Sequence, residues 1–288
     1  MAVNDEQLEP VMELIRSRTG ICARGGHRDG IRKYIERRLD ALNLSMQTYS
    51  ARLMTNEREF SLLVNESTVN ETYFFREEKQ FAFIRDRVFP AWISERAGEP
   101  MRIWSAACAG GEEAYSLALL AKSCWIKSVV TASDINTDML EKCGAGVYRP
   151  SSQRTGDGIL FQHLLAPYRR SDGSVAFSDE IRSRVETRRI NLAELDSPRA
   201  RAAAPKGQNI VLLRNVFIYF EPQLRARILR AIAETCLADG GFLLVSMSEI
   251  AQIDSSSLPP GLERLMDGDV FYFHKKNAGG GRHGAHSI

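Results

Sequence analysis

MRIWSAACAGGEEAYSLALL, residues 101–120, decides the fold. The apolar run 103–108 reads as a buried strand. Ala109, Gly110 and Gly111 make a small-residue turn, and Tyr115, Leu117, Ala118, Leu119 and Leu120 then follow as a helix. Strand, tight turn and helix form the leading edge of a nucleotide-binding βαβ unit. The glycines admit close approach of backbone to a ligand, and the helix start offers unpaired N–H groups. Glu112 and Glu113 fall in the first turn. Acids suit the helix dipole there, but they would repel a pyrophosphate. A ligand with a cationic end and a ribose fits better than a dinucleotide, and S-adenosylmethionine is such a ligand.

Downstream the pattern stays α/β. A second strand, 129–132, ends at Ser133-Asp134, where this fold type grips a ribose diol. The helix 137–143 follows. Residues 148–184 break the rhythm with Pro150, Gly156, Gly158 and Pro167. They read as an inserted antiparallel hairpin, 168–170 against 174–177, turning at Ser171-Asp172-Gly173. Strand three is 185–190, leading to Asn191-Leu192, and 196–207 reads as a surface loop. Strand four is 209–213. Its carboxyl end presents Arg214, Asn215 and Tyr219 to the crevice where open parallel sheets bind ligands. A helix, 223–237, a turn at Asp239-Gly240-Gly241, strand five at 242–246 and a closing hairpin, 262–266 with 270–274, complete the sheet. The final antiparallel pair separates methyltransferase sheets from dehydrogenase ones. The low-apolar tail 277–288 reads as disordered.

Upstream, residues 1 to about 70 read as all-helical. Leu8, Val11, Met12 and Ile15 repeat at helical spacing up to Gly20. A second helix, 29–44, buries Ile31, Ile35, Leu39 and Leu42, with Asp29 placed to pair with Lys33. Ser45 caps a third helix, 46–54. Asn56 with Glu59 resembles a capping box for a fourth. Lys33, Arg37 and Arg38 lie on the outer side of the second helix. They read either as a solvated face or as a docking surface for an acidic helical partner. Glu36 and Asp40 interrupt the stripe and argue against nucleic acid. Between the two regions stands NETYFFR, residues 70–76. Its paired Phe could wedge domains together, and its Arg could aim a fork at a carboxylate. A helix, 77–96, follows, with Phe81, Ile84 and Val88 inward and Pro90 set to kink it.

Composition narrows the class. The 288 residues are 44% hydrophobic and 26% charged, with a net charge of +2, ordinary for a soluble globular protein. Five cysteines without a CxxC pair read as reduced core thiols of a cytoplasmic protein. No apolar run approaches the roughly 18 residues of a membrane span. The acidic start MAVNDEQLEP is not a signal peptide. No metal-ligand cluster is expected.

Taken together, NETYFFR (70–76), IWSAACAGGEEAYSLA (103–118), ASDIN (132–136), INL (190–192) and LLRNVFIYF (212–220) resemble the CheR-type chemotaxis receptor protein-glutamate O-methyltransferases over residues 10–274. The resemblance implies an N-terminal helical domain (1–70), a linker and connecting helix (71–100), and a class I, Rossmann-like S-adenosylmethionine-dependent methyltransferase domain (101–276) carrying a small antiparallel β insertion (148–184). It implies that Asn70, Thr72, Arg76, Ala107, Glu113, Asp134, Asn191, Leu192, Arg214 and Asn215 bind the cofactor. Arg76 and Tyr219 would be catalytic, and Lys33, Arg37 and Arg38 would meet acidic receptor helices. The implied reaction converts glutamate side chains of chemoreceptor signalling domains to methyl esters, leaving S-adenosylhomocysteine. The alternative is a catalytically inactive cofactor-binding adaptor. Ala114 stands where the family often has Pro, and the short hairpin with one Gly argues against tether-peptide binding.

Overall fold

The computed structural model describes residues 2–96, 98–154 and 156–277. The tail expected to be disordered lies, from residue 278 on, outside the described residues. Four helices come first. α1 (Asp5–Thr19) opens on a capping box between Asn4 and Gln7 and stops at Gly20, whose φ of 75° is left-handed. α2 (Gly26–Leu42) starts and ends earlier than its apolar pattern, because Asn43 turns left-handed (φ 50°) before Leu44. α3 (Met46–Thr55) is capped by Ser45, and α4 (Glu57–Glu66) by Asn56. Two local expectations are corrected. Asp29 pairs with Arg32 at 3.7 Å, and Lys33 has no ion pair among the described residues. The capping box at Asn56 is half-formed, because the Glu59 side chain turns inward to Arg38 and Tyr49.

The linker places Phe74 and Phe75 in the core, with Phe75 and Glu77 at φ 57° and 59°. The expected single helix is α5 (Glu78–Phe83), a π-helical turn (Ile84–Val88) and α6 (Phe89–Arg96). Pro90 has no N–H to give and its ring crowds the carbonyl four residues back, so the preceding turn widens.

The sheet comprises β1 (Met101–Ala106), β2 (Ser128–Asp134), β5 (Val185–Arg189), β6 (Gln208–Leu213), β7 (Leu237–Val245), β8 (Leu262–Asp267) and β9 (Val270–Lys275). Its order is β5-β2-β1-β6-β7-β9-β8, with β9 antiparallel to both neighbours and the other pairings parallel. The order reverses between β1 and β6, which opens a crevice beyond Ala106, Ser133 and Leu213. Connections run through α7 (Glu112–Ser123), α8 (Thr137–Ala145), α9 (Asp179–Arg182), α10 (Pro198–Ala203) and α11 (Pro222–Ala231). The presumed loop 196–207 therefore contains a helix, capped by Ser197. The helix expected over 223–237 ends in a π turn, Ile232–Cys236. β7 begins at Leu237, and its pairing with β6 skips across 238–241.

The insertion is also corrected. β4 (Val175–Ala176) pairs with β3 (Val147–Tyr148), while the expected partner run contributes one bridge, Arg169 to Val175. Tyr148 and Val175 are buried, whereas Arg169 and Arg170 are exposed, so burial selects the partner. Phe74 of the linker, Tyr115 of α7, and Tyr148 and Phe177 of the insertion form an aromatic box. Its ring centroids are 5.0 Å apart for Phe74–Tyr148, 5.8 Å for Phe74–Phe177 and 4.4 Å for the stacked Tyr115–Phe177 pair. On this face of the sheet the box merges with α5–α7. On the other face the apolar sides of α1–α3 join α11 and the sheet in one continuous core.

Candidate active site

The turn after β1 supplies the floor of the crevice. Ala107, Ala109 and Gly111 have φ of 60°, 46° and 90°, three left-handed residues in five. Non-glycine residues hold that conformation only where their surroundings fix it. Here the Ala109 N–H donates to Asp134 Oδ2 at 2.8 Å, and the Cys108 N–H donates to the Ser133 carbonyl at 2.8 Å. Tyr148 Oη, from the insertion, donates to the Gly110 carbonyl at 2.8 Å. The floor is tied to β2 on one side and to the insertion on the other.

A cavity open to solvent lies above this turn. Its lining includes all eleven residues expected to bind or to act: Asn70, Thr72, Arg76, Ala107, Glu113, Asp134, Asn191, Leu192, Arg214, Asn215 and Tyr219. Several are held differently from their expected roles. The two acids of α7 part company. Glu112 is buried under the insertion, with Oε1 accepting from Lys142 Nζ and Ser152 Oγ, each at 2.8 Å. Glu113 faces the cavity but is paired with Arg214, Nε to Oε2 at 2.6 Å, and also accepts from Ser105 Oγ at 2.6 Å. The repulsion that two free acids would exert at the helix start is therefore reduced. Arg214 further donates to the Arg76 carbonyl (2.7 Å) and Gln80 Oε1 (3.2 Å), so it braces the linker against β6.

Asp134 is buried at the end of β2, and Asn136, rather than Asp134, caps α8. Burial pushes its carboxyl up from the usual range, against the pull of backbone N–H groups from Asn136 and Ala109. Each oxygen accepts one such bond, which leaves lone pairs for a ligand. The Asn191 amide is engaged locally: Oδ1 accepts from the Ala193 N–H at 3.1 Å, and Nδ2 donates to the Arg18 carbonyl at 2.7 Å, tying α1 to the rim. Asn215 stands at φ 56° with Nδ2 donating to Ser246 Oγ at 3.0 Å.

Tyr219 ends a 3-10 turn, Phe217–Tyr219, after β6. The buried Glu249 carboxylate accepts from the Asn215 N–H (2.7 Å) and the Ile218 N–H (3.3 Å) and so anchors that turn. The helical region holds it from outside. The Cys22 N–H donates to the Tyr219 carbonyl at 2.9 Å, and the His27 ring lies edge-on to Tyr219 with centroids 6.1 Å apart. Burial pushes the Tyr219 phenol up, while the positive charge of Arg76 pulls the other way. Arg76 itself donates to the Glu71 carbonyl at 2.9 Å.

The expected partner-binding cations divide. Lys33 and Arg37 are exposed. Arg38 is turned inward, making two 2.8 Å bonds to Glu59, because that buried carboxylate needs a counter-charge. Sequence reading missed His27, Glu77 and Glu249. His27 carries no local signal, since only the packing of α2 on the crevice brings it there. Glu249 follows the carboxyl end of β7, where position in a parallel sheet could have flagged it, whereas Glu77, from the linker, accepts there from Ser246 Oγ and the Met247 N–H across a separation that no local pattern encodes. Among the described residues no cluster of potential metal ligands occurs.

The sequence profile described as "CheR methyltransferase, SAM binding domain" matches residues 70–258. The chain belongs to the CheR methyltransferase family. It is 32% identical over 203 residues to chemotaxis protein methyltransferase 2 of Vibrio cholerae, covering 69% of this chain and 68% of that protein. It is also 32% identical over 251 residues to the chemotaxis protein methyltransferase of Salmonella typhimurium, covering 83% and 82%. Among solved structures, the rRNA methyltransferase aviRa from Streptomyces viridochromogenes aligns over 67% of this chain and 83% of that one, at 16% identity and a TM-score of 0.39, too loose to bear on function. The CheR profile begins at Asn70, the first residue of the motif whose Arg76 faces Tyr219's cavity, so the family's signature and the crevice coincide.

Proposed function

We propose that this CheR-family chain is a protein-glutamate O-methyltransferase that uses S-adenosylmethionine to esterify glutamate side chains on the cytoplasmic signalling domains of chemoreceptors. The observation that carries the reading is the lining of one cavity by Arg76, Tyr219, Asp134 and the β1–α7 turn together. The cavity's charges fit the cofactor: three acids (Glu71, Glu113, Asp134) against two arginines (Arg76, Arg214), and no lysine. Glu113 is paired with Arg214 and Glu71 with Arg154, so Asp134 is the lining acid with no ion pair among the described residues, and it suits ribose hydroxyls better than a phosphate. Asp134 would hold the ribose hydroxyls. The β1–α7 turn and the Glu113–Arg214 pair would border the methionyl part, and Leu192 the adenine.

When bound, S-adenosylmethionine supplies a methyl on a sulfonium, which the carboxylate oxygen takes while sulfur keeps the electrons of the broken bond. A glutamate is ionised at neutral pH, so no general base is required. The chain's own work is positioning: Arg76 aligns one carboxylate oxygen and Tyr219 steadies it by a hydrogen bond. Lys33 and Arg37 would meet the acidic faces of receptor helices. No helix of the described residues is long and apolar enough to cross a membrane.

The test compares Arg76→Ala and Tyr219→Phe with the unaltered protein. Affinity for S-adenosylhomocysteine, measured by calorimetry, should stay within about threefold, while radiolabelled methyl transfer to receptor cytoplasmic fragments should fall by about 10² or more, as loss of positioning predicts. Equal losses of binding and transfer would overturn the assignment.

A further inference from the structure

The mouth of the cavity carries an acid of its own. Glu71 lines the cavity beside Arg76 and Tyr219, and its negative charge is felt at the Tyr219 phenol. Its carboxylate is held by Arg154 of the insertion at 2.9 Å, while its carbonyl accepts from Arg76. Both guanidiniums lie over the ring of Tyr73, Arg154 at 4.8 Å and Arg76 at 5.5 Å from its centroid. The ring is fixed, because Tyr73 Oη donates to Asp157 Oδ2 at 2.8 Å. One aromatic plate thus carries two cations, Arg76 of the cavity lining and Arg154 of the insertion, which is bonded to the lining residue Glu71.

Resting on the reading that the substrate is a carboxylate, we propose that Arg154 is a specificity-determining residue. It captures the incoming substrate carboxylate at the rim in exchange for Glu71 and delivers it to Arg76. The exchange is chemically even, one carboxylate for another on the same guanidinium. It is also easily reversed, since both side chains of the Glu71–Arg154 pair are more than half exposed, at 62% and 51%, and such pairs are weak. Glu71 is then a resident competitor that keeps Arg154 at the rim and rejects neutral side chains, which gain nothing by displacing it. An amide in place of the glutamate leaves the pair closed.

The experiment measures kcat and KM for methyl transfer to a receptor cytoplasmic fragment, and S-adenosylhomocysteine affinity, in Arg154→Gln, Arg154→Lys and Glu71→Gln. Arg154→Gln should raise KM for the fragment about tenfold with kcat within about twofold and product affinity unchanged. Arg154→Lys should recover most of that loss. Glu71→Gln, which keeps the carbonyl bonded to Arg76, should lower KM about threefold by removing the competitor. An unchanged KM in Arg154→Gln overturns the proposal. So does a rise in KM in Glu71→Gln matching that in Arg154→Gln, which would mark the pair as a brace for the linker. Failure of the underlying reading looks different: the unaltered protein would transfer methyl to no receptor fragment.

Discussion

Arg214 shows how much of a cavity wall can rest on one ion pair. Its side chain is 2% exposed and touches Glu113, Gln80 and the backbone of Arg76, so three elements meet on it. Removing the acid alone strands a buried cation, which costs about 3 kcal/mol. Glu113→Gln should therefore lower Tm by roughly 6–12 °C. Glu113→Gln combined with Arg214→Met, which removes both charges, should recover at least half of that in the same thermal melt. A double variant as unstable as the single one would show that the charge pair is not what Glu113 contributes. The sequence announced Arg214 by its place after β6, and the resemblance marked Glu113 as a site residue. It did not announce that they touch, because their contact spans a separation of 101 residues that no local pattern encodes.

At the scale of the element, α2 is the clearest case of a helix whose outer face was read from periodicity and whose charges were not. Of its apolar stripe, Ile31, Ile35 and Leu39 are buried and Leu42, at the last turn, is half-buried against the same core. Of its cations, Arg38 folds back onto Glu59, whose carboxyl lies below its usual range through the Arg38 bonds first and the Tyr49 hydroxyl after. A carboxyl with a depressed folded-state pKa stabilises the fold above its unfolded value, here about pH 4.5, and that contribution disappears as pH falls through the lower, folded value. Glu59→Gln should cost about 1–3 kcal/mol at pH 7, less than the roughly 3–5 kcal/mol of a fully buried pair because Arg38 is partly exposed. The deficit should shrink toward zero in denaturant melts as the pH is lowered below 4. A deficit independent of pH would refute the ionic origin. Breaks within elements were less legible. Pro90 marked a disturbance in its helix, but the π turn Ile232–Cys236 follows no proline or glycine and reflects how α11 must meet β7. The hairpin read from alternation near a turn forms its turn and one bridge, whereas the longer pairing of β4 goes to β3, selected by the burial of Tyr148.

Across the whole molecule, the helical region and the sheet share a hydrophobic core, and further ties bridge them: Asn136 Nδ2 to the Asn65 carbonyl at 3.0 Å, Asn65 Nδ2 to Thr137 Oγ1 at 2.9 Å, and Arg16 to Glu221 at 3.0 Å. Unfolding one without the other would expose that shared surface, so calorimetry should record one transition. S-adenosylhomocysteine at a hundred times its dissociation constant should shift it upward as a unit, by the equivalent of about 2.7 kcal/mol. Two resolved transitions, with only the second moved by ligand, would contradict a single cooperative body. The α/β order and the crevice were legible because strand ends and small-residue turns recur at spacings the chain displays. The fusion of the two regions was not, since a separate helical run reads the same whether or not its buried stripe faces a neighbour. The aromatic box has one more consequence. Phe74, Tyr115, Tyr148 and Phe177 come from linker, α7 and insertion, and Tyr148 also grips the turn at Gly110. The insertion is therefore not an exchangeable cassette. A chimera carrying a relative's insertion would inherit rings shaped for that relative's linker, so swaps in this lineage should succeed only when both segments travel together.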